Sequence, residues 1–219
     1  MQPLSKRNIA AHYLPSRYHY WYALSKLATD PLYAEVRQVF LQTRAVLLDV
    51  GCGIGLLPQC LHGSGIDLAY RGVDIDAAKI GIARSAARSG GLFQAAFDVC
   101  DLTKSFPEHR GSVALLDVLQ YFESDARDDL LASAARCVTA EGRLIVRAGL
   151  NDGGWRAAIT RGADAAGHAL RWMKTPPRSQ PTIADLEQLL ARHGFKSEFR
   201  PLWGRTPFNN WLVVARRER

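Results

Sequence analysis

No apolar run in the 219-residue sequence approaches the about 18 residues that would span a bilayer. The amino-terminal stretch MQPLSKRNIAAHYLPSRYHYWY lacks the continuous apolar core of a signal peptide. A cytoplasmic protein is therefore expected. Cysteine is sparse and scattered: Cys52, Cys60, Cys100 and Cys137 form no CxxC pair and have no histidine at zinc-ligand spacing, so reduced thiols and no metal site are expected. Nor is there a compositional extreme. Hydrophobic residues make up 47% and charged residues 22%, which argues against both disorder and a membrane-embedded chain. The length suits one well-buried core. The formal net charge of +7 raises the prospect of an anionic partner, such as nucleic acid, an acidic lipid surface or a carrier-bound substrate. The arginines, however, are dispersed rather than massed, and the final ARRER reads as a solvated tail.

From residue 46 the sequence alternates strand and helix signals. VLLDV (46–50) is a short apolar run followed by glycines, and LAYRGVDID (68–76) is a second strand ending in acids. Asp76 then caps a helix, AAKIGIARSAARS, that stops at Gly90 and Gly91. FQAAFDV (93–99) is a weaker third strand and GSVALLDVL (111–119) a fourth. A helix through DARDDLLASAARCV and a fifth strand, RLIVRAG (143–149), follow. Strands separated by helices imply right-handed crossovers and a mostly parallel sheet covered on both faces.

The carboxyl end breaks that rule. After a helix with Thr182 and Asp185 at capping-box spacing come FKSEFRPL (195–202) and NNWLVVARR (209–217). Six residues between them are too few for a parallel crossover, so these strands are expected to pair antiparallel.

The stretch AVLLDVGCGIGLL (45–57) sets glycines at 51, 53 and 55 directly after an acid-bearing strand. In open α/β sheets ligands sit beyond the carboxyl ends of strands, where glycine lets the backbone approach closely and the next helix offers free amides. A ligand site is expected there. The spacing is G-x-G-x-G, which departs from the dinucleotide fingerprint G-x-G-x-x-G.

LLDVGCGIG resembles the first motif of class I S-adenosylmethionine-dependent methyltransferases, and RGVDID, FDVCD, LLDVLQYF and the terminal hairpin extend the resemblance over about residues 45–217. It implies an α/β, three-layer Rossmann-like fold with a seven-stranded, mostly parallel sheet, strand seven running antiparallel between five and six. It also implies S-adenosylmethionine as cofactor and S-adenosylhomocysteine as product. Because that cofactor carries a sulfonium and an ammonium against one carboxylate, its pocket should mix acids with backbone donors. Asp49 is expected to balance the methionine portion, with Gly51, Cys52 and Gly53 giving close backbone approach. Asp74 can accept both ribose hydroxyls, since a carboxylate has two oxygens and the diol two donors. Ile75 is expected against adenine, and Asp98 and Val99 at its amino edge, with Asp101 a rival to Asp98. Asp117 is assigned to the cofactor as well, a plain strand-end acid being the alternative.

The acceptor must approach from the same sheet edge, which nominates Gln120 and Tyr121, Asn151, Trp155 and Arg156, then Trp203, Arg205, Phe208 and Asn209. The leader, residues 1–44, is expected to form an aromatic-rich helical lid on a core of residues 45–219. Its run Tyr18, His19, Tyr20, Trp21 and Tyr22 suits sandwiching a flat acceptor, and packing on the core or contact with a membrane surface are its other readings. A helix there cannot aim all five rings at one site. His19 is the leading general base, with Tyr121 second and His168 a substitute.

The implied activity is O- or C-methylation of a small or carrier-bound, apolar or aromatic acceptor. The chain also looks similar to small bacterial methyltransferases of aryl-polyene and lipid-like biosynthesis. Asp117-Val118-Leu119-Gln120 lacks the prolines of the Asp-Pro-Pro-Tyr type motif of base amino methyltransferases, and no cysteine sits in the Pro-Cys context of pyrimidine carbon-5 enzymes. RNA or other nucleic-acid methylation and a non-catalytic cofactor-binding partner protein are the alternatives. Monomer and homodimer both stay open.

Overall fold

The computed structural model describes residues 4–151, 154, 156, 181–204 and 209–218. Helices α1 (Lys6–Ala11), α2 (Arg17–Thr29) and α3 (Leu32–Phe40) precede strand β1 (Leu47–Val50). Then α4 (Leu56–Gly63), β2 (Tyr70–Asp74), α5 (Ala77–Ser89), β3 (Ala95–Val99) and β4 (Ser112–Leu116) follow. A 3₁₀ turn (Leu119–Tyr121), α6 (Ser124–Cys137), β5 (Leu144–Gly149), α7 (Ile183–Arg192), β6 (Phe195–Pro201) and β7 (Asn210–Arg217) complete the described elements.

The seven strands form one sheet in the order β3-β2-β1-β4-β5-β7-β6. The first five are parallel, and β7 runs antiparallel to both neighbours, β5 and β6. The short hairpin connection dictated that reversal. Its place beside β5, which loop length alone left open, was the placement implied by the family resemblance. All four residues of β1 are buried because it lies inside the sheet, between β2 and β4, with helices on both faces. Alternation along the strands sorts the core into two layers. Leu48, Val50, Leu144 and Val146 face α6 and α7, whereas Leu47, Ala114 and Ile145 face α3, α4 and α5.

Helix caps follow the sequence signals. The Asp76 side chain accepts from Ala78 N at 3.0 Å, and Thr182 and Asp185 cap each other reciprocally. Several strand ends differ from expectation, β2 being two residues shorter at each end. β3 starts at Ala95 rather than Phe93, because the chain is still completing the turn through Gly91 (φ 69°), and Phe93 is left 96% exposed. β4 ends at Leu116, because Asp117 turns the chain at φ 59°.

The leader helices are tied to the sheet's flank. Leu4 N donates to Gly63 O at 2.6 Å, and Ile9, Ala10, Tyr13, Ala23 and Leu27 pack with Leu56 and Ala86. Helix α2 turns Ala23 and Leu27 inward, while Tyr18 and Trp21 stay 72% and 59% exposed. Among the described residues no helix is long and apolar enough to cross a membrane.

Candidate active site

A cleft of about 890 Å³ opens beyond the carboxyl ends of β1, β2 and β4. Its floor is Asp49 and the loop Gly51-Cys52-Gly53. A side chain at Gly51 (φ 76°) would drive its Cβ to 2.5 Å from Val118 Cγ2, so this position serves packing as well as backbone conformation. At Gly53 (φ 57°) an added Cβ would meet nothing within 4 Å, which leaves open space over the backbone. Asp49 is buried; its Oδ2 accepts from the Tyr70 hydroxyl at 2.6 Å, while Oδ1 has no partner. Burial, with the Asp74 charge adding to it and the Tyr70 hydrogen bond opposing it, pushes the Asp49 pKa up to about 7. Burial likewise pushes the Cys52 thiol far up, which makes it a wall and not a nucleophile. A buried acid with an unpartnered oxygen is a receptor for a cation, and the ammonium of S-adenosylmethionine fits that demand.

Asp74, at the end of β2, accepts from Gly53 N on Oδ2 and from Asp76 N on Oδ1, each at 2.9 Å. Those bonds fix the carboxylate in the cleft and leave each oxygen a further lone pair for a diol. Ile75 also lines the cleft and is exposed, as an adenine-facing residue requires. The far end of the cleft corrects one expectation. Asp98 and Val99 do not line it; Cys100, Asp101, Leu102 and Thr103 do. Asp98 instead accepts from Arg71 Nε at 3.0 Å and lies 3.8 Å from Arg84 Nη2. Asp98 and Val99 both lie within β3, which ends at Val99, and the chain reaches the cleft only from Cys100 onward, where the rival Asp101 lines it.

At the opposite end, Asp117 lines the cleft in a left-handed conformation that a non-glycine residue seldom adopts. Arg147 holds it there: Asp117 N donates to Arg147 O at 3.0 Å, and Arg147 Nη1 donates to Asp117 Oδ2 at 2.9 Å. The same Nη1 donates to Asp30 Oδ2 at 2.9 Å, and Lys26 Nζ reaches that oxygen at 3.3 Å. Burial opposes the charge on Asp30, but Arg147 and Lys26 outweigh it and hold the carboxyl below its ordinary value. None of Lys26, Asp30 or Arg147 was singled out from sequence. An arginine inside the apolar strand LIVRAG was the available signal, since such a charge stays buried only when paired.

A second groove, about 610 Å³, runs along α2 beside the cleft, and Tyr22, Lys26 and Arg147 line both. Tyr18, Trp21 and Tyr22 share its wall through their helical spacing. His19 lines neither, which corrects its nomination as base: one residue along from Tyr18 the helix carries it around the circumference, and it meets the Tyr18 ring edge-on at 5.2 Å. Tyr121 is on the cleft wall. Gln120 is on neither wall, and its Oε1 is buried without a partner. Asn209 is corrected too. It is fully buried, donates to Leu150 O at 2.8 Å and accepts from the indoles of Trp203 and Trp211, so it knits the β5–β7 end together. The Arg156 guanidinium lies 5.0 Å from the Trp203 ring centre. Trp155, His168, Arg205 and Phe208 lie outside the described residues.

Residues 47–142, the strands and turns that build the cleft, match the family profile described as "Methyltransferase domain". No curated protein matches the sequence. Among solved structures, an O-methyltransferase family protein from Burkholderia thailandensis is similar with a TM-score of 0.71 at 20% identity. The match covers 99% of this chain but 64% of that one, so the chain spans less than two thirds of that relative's length. The magnesium protoporphyrin IX methyltransferase of Synechocystis PCC 6803, solved with S-adenosylhomocysteine, gives 0.67 at 18% identity over 85% of this chain and 82% of its own. Mitomycin 7-O-methyltransferase MmcR gives 0.66 at 18% identity over 98% and 61%. With a glycine loop over an acid-floored cleft and this sheet order, the chain has the fold of these methyltransferases, and its residues 47–142 match the methyltransferase-domain profile.

Proposed function

We infer that this protein transfers the methyl group of S-adenosylmethionine to a small aromatic acceptor held in the groove beneath α2. The single observation carrying that reading is the shared wall: Tyr22, Lys26 and Arg147 border both the cofactor cleft and the aromatic groove. A molecule in the groove would therefore meet the methionine end of the cleft, where Asp117 stands. Names of similar structures, such as mitomycin 7-O-methyltransferase, support a small-molecule acceptor and oxygen as the methylated atom.

When bound, S-adenosylmethionine supplies an electrophilic methyl on a sulfonium leaving group. Asp49 would take its ammonium on the unpartnered Oδ1, Asp74 its ribose hydroxyls, and Ile75 and the Asp101 loop its adenine. The chain's remaining task is alignment at near-attack distance, worth up to about 7–11 kcal/mol at its limit. Trp21 and Tyr22 would stack the acceptor ring and keep water out. Tyr121 remains the proposed proton partner within reach of the cleft. Helix α2 acts as the lid's inner face in this reading, and α1 and α3 anchor it.

Incubating the purified chain with methyl-labelled S-adenosylmethionine and fractionated cell extract tests the reading. Label should enter low-molecular-weight aromatic material. Label confined to RNA, or cofactor binding without label in any fraction, would contradict it.

A further inference from the structure

The aromatic groove has a charge imbalance that a neutral acceptor would not use. Among the described residues lining it, Arg17, Lys26 and Arg147 are cationic and only Asp30 is anionic. Asp30 is already committed, accepting from both Lys26 and Arg147. Among the described residues the Arg17 side chain has no hydrogen-bond or ion-pair partner, and it stands at the start of α2, one residue before Tyr18. Lys26, two turns along the same helix, spends one of its three donors on Asp30 and keeps a partly exposed ammonium.

Arg147 sharpens the point. Its side chain is more than nine-tenths buried, and its Nη1 serves Asp30 and Asp117 together. Its Nε is buried with no hydrogen-bond partner among the described residues. A buried guanidinium donor left unsatisfied costs free energy unless something completes it. The group lies in the wall of the groove, and the natural complement is an anionic oxygen, which a guanidinium edge binds with good geometry. The stacked rings of Tyr18 and Tyr22 (6.5 Å between centroids, 23° between planes) and the Trp21 indole supply the flat apolar surface.

We propose that the acceptor is an aromatic acid: a planar ring bearing a carboxylate, bound with the ring along Tyr18, Trp21 and Tyr22 and the anion recognised by Arg17, Lys26 and Arg147. This rests on the reading of the groove as the acceptor site. The basic side chains are then specificity determinants, and the hydroxyl to be methylated is turned toward the cofactor cleft.

The experiment is a binding measurement on the full chain saturated with S-adenosylhomocysteine, following the quenching of tryptophan fluorescence and, in parallel, calorimetric heat. The paired probes are 4-hydroxybenzoate and 4-hydroxybenzamide, which differ in charge and scarcely in shape. The acid should bind about tenfold more tightly, the ratio expected from one well-formed charge-assisted contact. Raising the salt concentration should narrow that ratio. Arg17→Gln and Lys26→Gln, made singly and together, should reduce the preference for the acid while the amide's affinity stays within about twofold, a change smaller than one ordinary hydrogen bond. These two side chains are partly or wholly solvent-facing, so folding is retained where Arg147 variants would risk it, and retained S-adenosylhomocysteine affinity certifies it. Equal binding of acid and amide, or a preference that survives both glutamines, would overturn the proposal while leaving a neutral aromatic acceptor standing. Binding of neither probe, with methyl label entering only carrier-bound aryl groups, would overturn it in favour of a carrier. Binding of neither probe and label in no aromatic fraction would remove the underlying acceptor reading as well.

Discussion

Replacing Asp49 with asparagine should make the protein more stable at alkaline pH and weaken its hold on cofactor. The carboxyl is buried, its pKa is raised from 3.8 to about 7, and one oxygen has no partner. The sign follows from where the proton sits. Below pH 3.8 the group is protonated folded and unfolded, so it costs nothing. Between 3.8 and about 7 the unfolded chain ionises while the folded chain resists, and stability falls as pH rises; above 7 the cost is constant. At about 1.36 kcal/mol per pH unit, the full penalty is about 4 kcal/mol, an upper bound that relaxation around the site will lower. Asparagine keeps an acceptor for the Tyr70 hydroxyl and carries no charge to desolvate. Urea unfolding should therefore find Asp49→Asn more stable at pH 8, with an advantage that grows by about 2 kcal/mol between pH 5.5 and pH 8. Cofactor affinity of the unsubstituted chain should rise with pH up to about 7 and level off, because only the ionised acid attracts the ammonium. In the variant that slope should vanish along with most of the affinity. A variant that is less stable at pH 8, or whose advantage does not depend on pH, would refute the assignment of a strained, ligand-facing carboxyl.

Gly51→Ala should cost about 1–3 kcal/mol and most cofactor affinity, because a Cβ there collides with Val118 in a backbone region alanine resists; chemical denaturation and calorimetry read both effects. Asp98→Ala should leave cofactor affinity within about twofold, since its partners are Arg71 and Arg84 at an exposed pair worth about 1 kcal/mol or less to stability, whereas shortening Asp101 should weaken binding; equal effects would restore Asp98 to the site. Arg147→Met should destabilise by about 3–5 kcal/mol, by leaving Asp30 buried beside a single lysine and releasing Asp117 from its left-handed turn. Adding Asp30→Asn to that variant should recover part of the loss, which thermal unfolding would register.

Much of the sheet was readable from local signals. Apolar runs, glycine stops and capping acids act within a few residues, so β1, β2, α5 and α7 lie within a residue or two of where VLLDV, LAYRGVDID, Asp76 and Thr182 put them. The six-residue hairpin connection left no parallel solution, and the antiparallel pairing followed. That Asp49, Gly53 and Asp74 line the cleft was legible for the same reason: each sits at or just beyond a strand end whose position the pattern fixes. What escaped were contacts between elements distant in sequence. Asp30 and Arg147 are 117 positions apart, and their pairing exists only once α2, α3 and β5 are assembled. Asp98 went astray although β3 ends at Val99 as read, because the cleft is lined only by the residues beyond that end, from Cys100 onward. His19 failed because neighbours on a helix face different directions, a limit that the same rule correctly placed on the five-ring run.

The most direct measurement is calorimetric titration of the folded, full-length chain with S-adenosylhomocysteine at pH 8, repeated with Asp74→Ala. One site per chain with micromolar affinity, largely lost when the ribose-binding carboxylate is removed, is the predicted result. Folded protein that takes up no S-adenosylhomocysteine, or a variant that binds it undiminished, would contradict the assignment of this cleft.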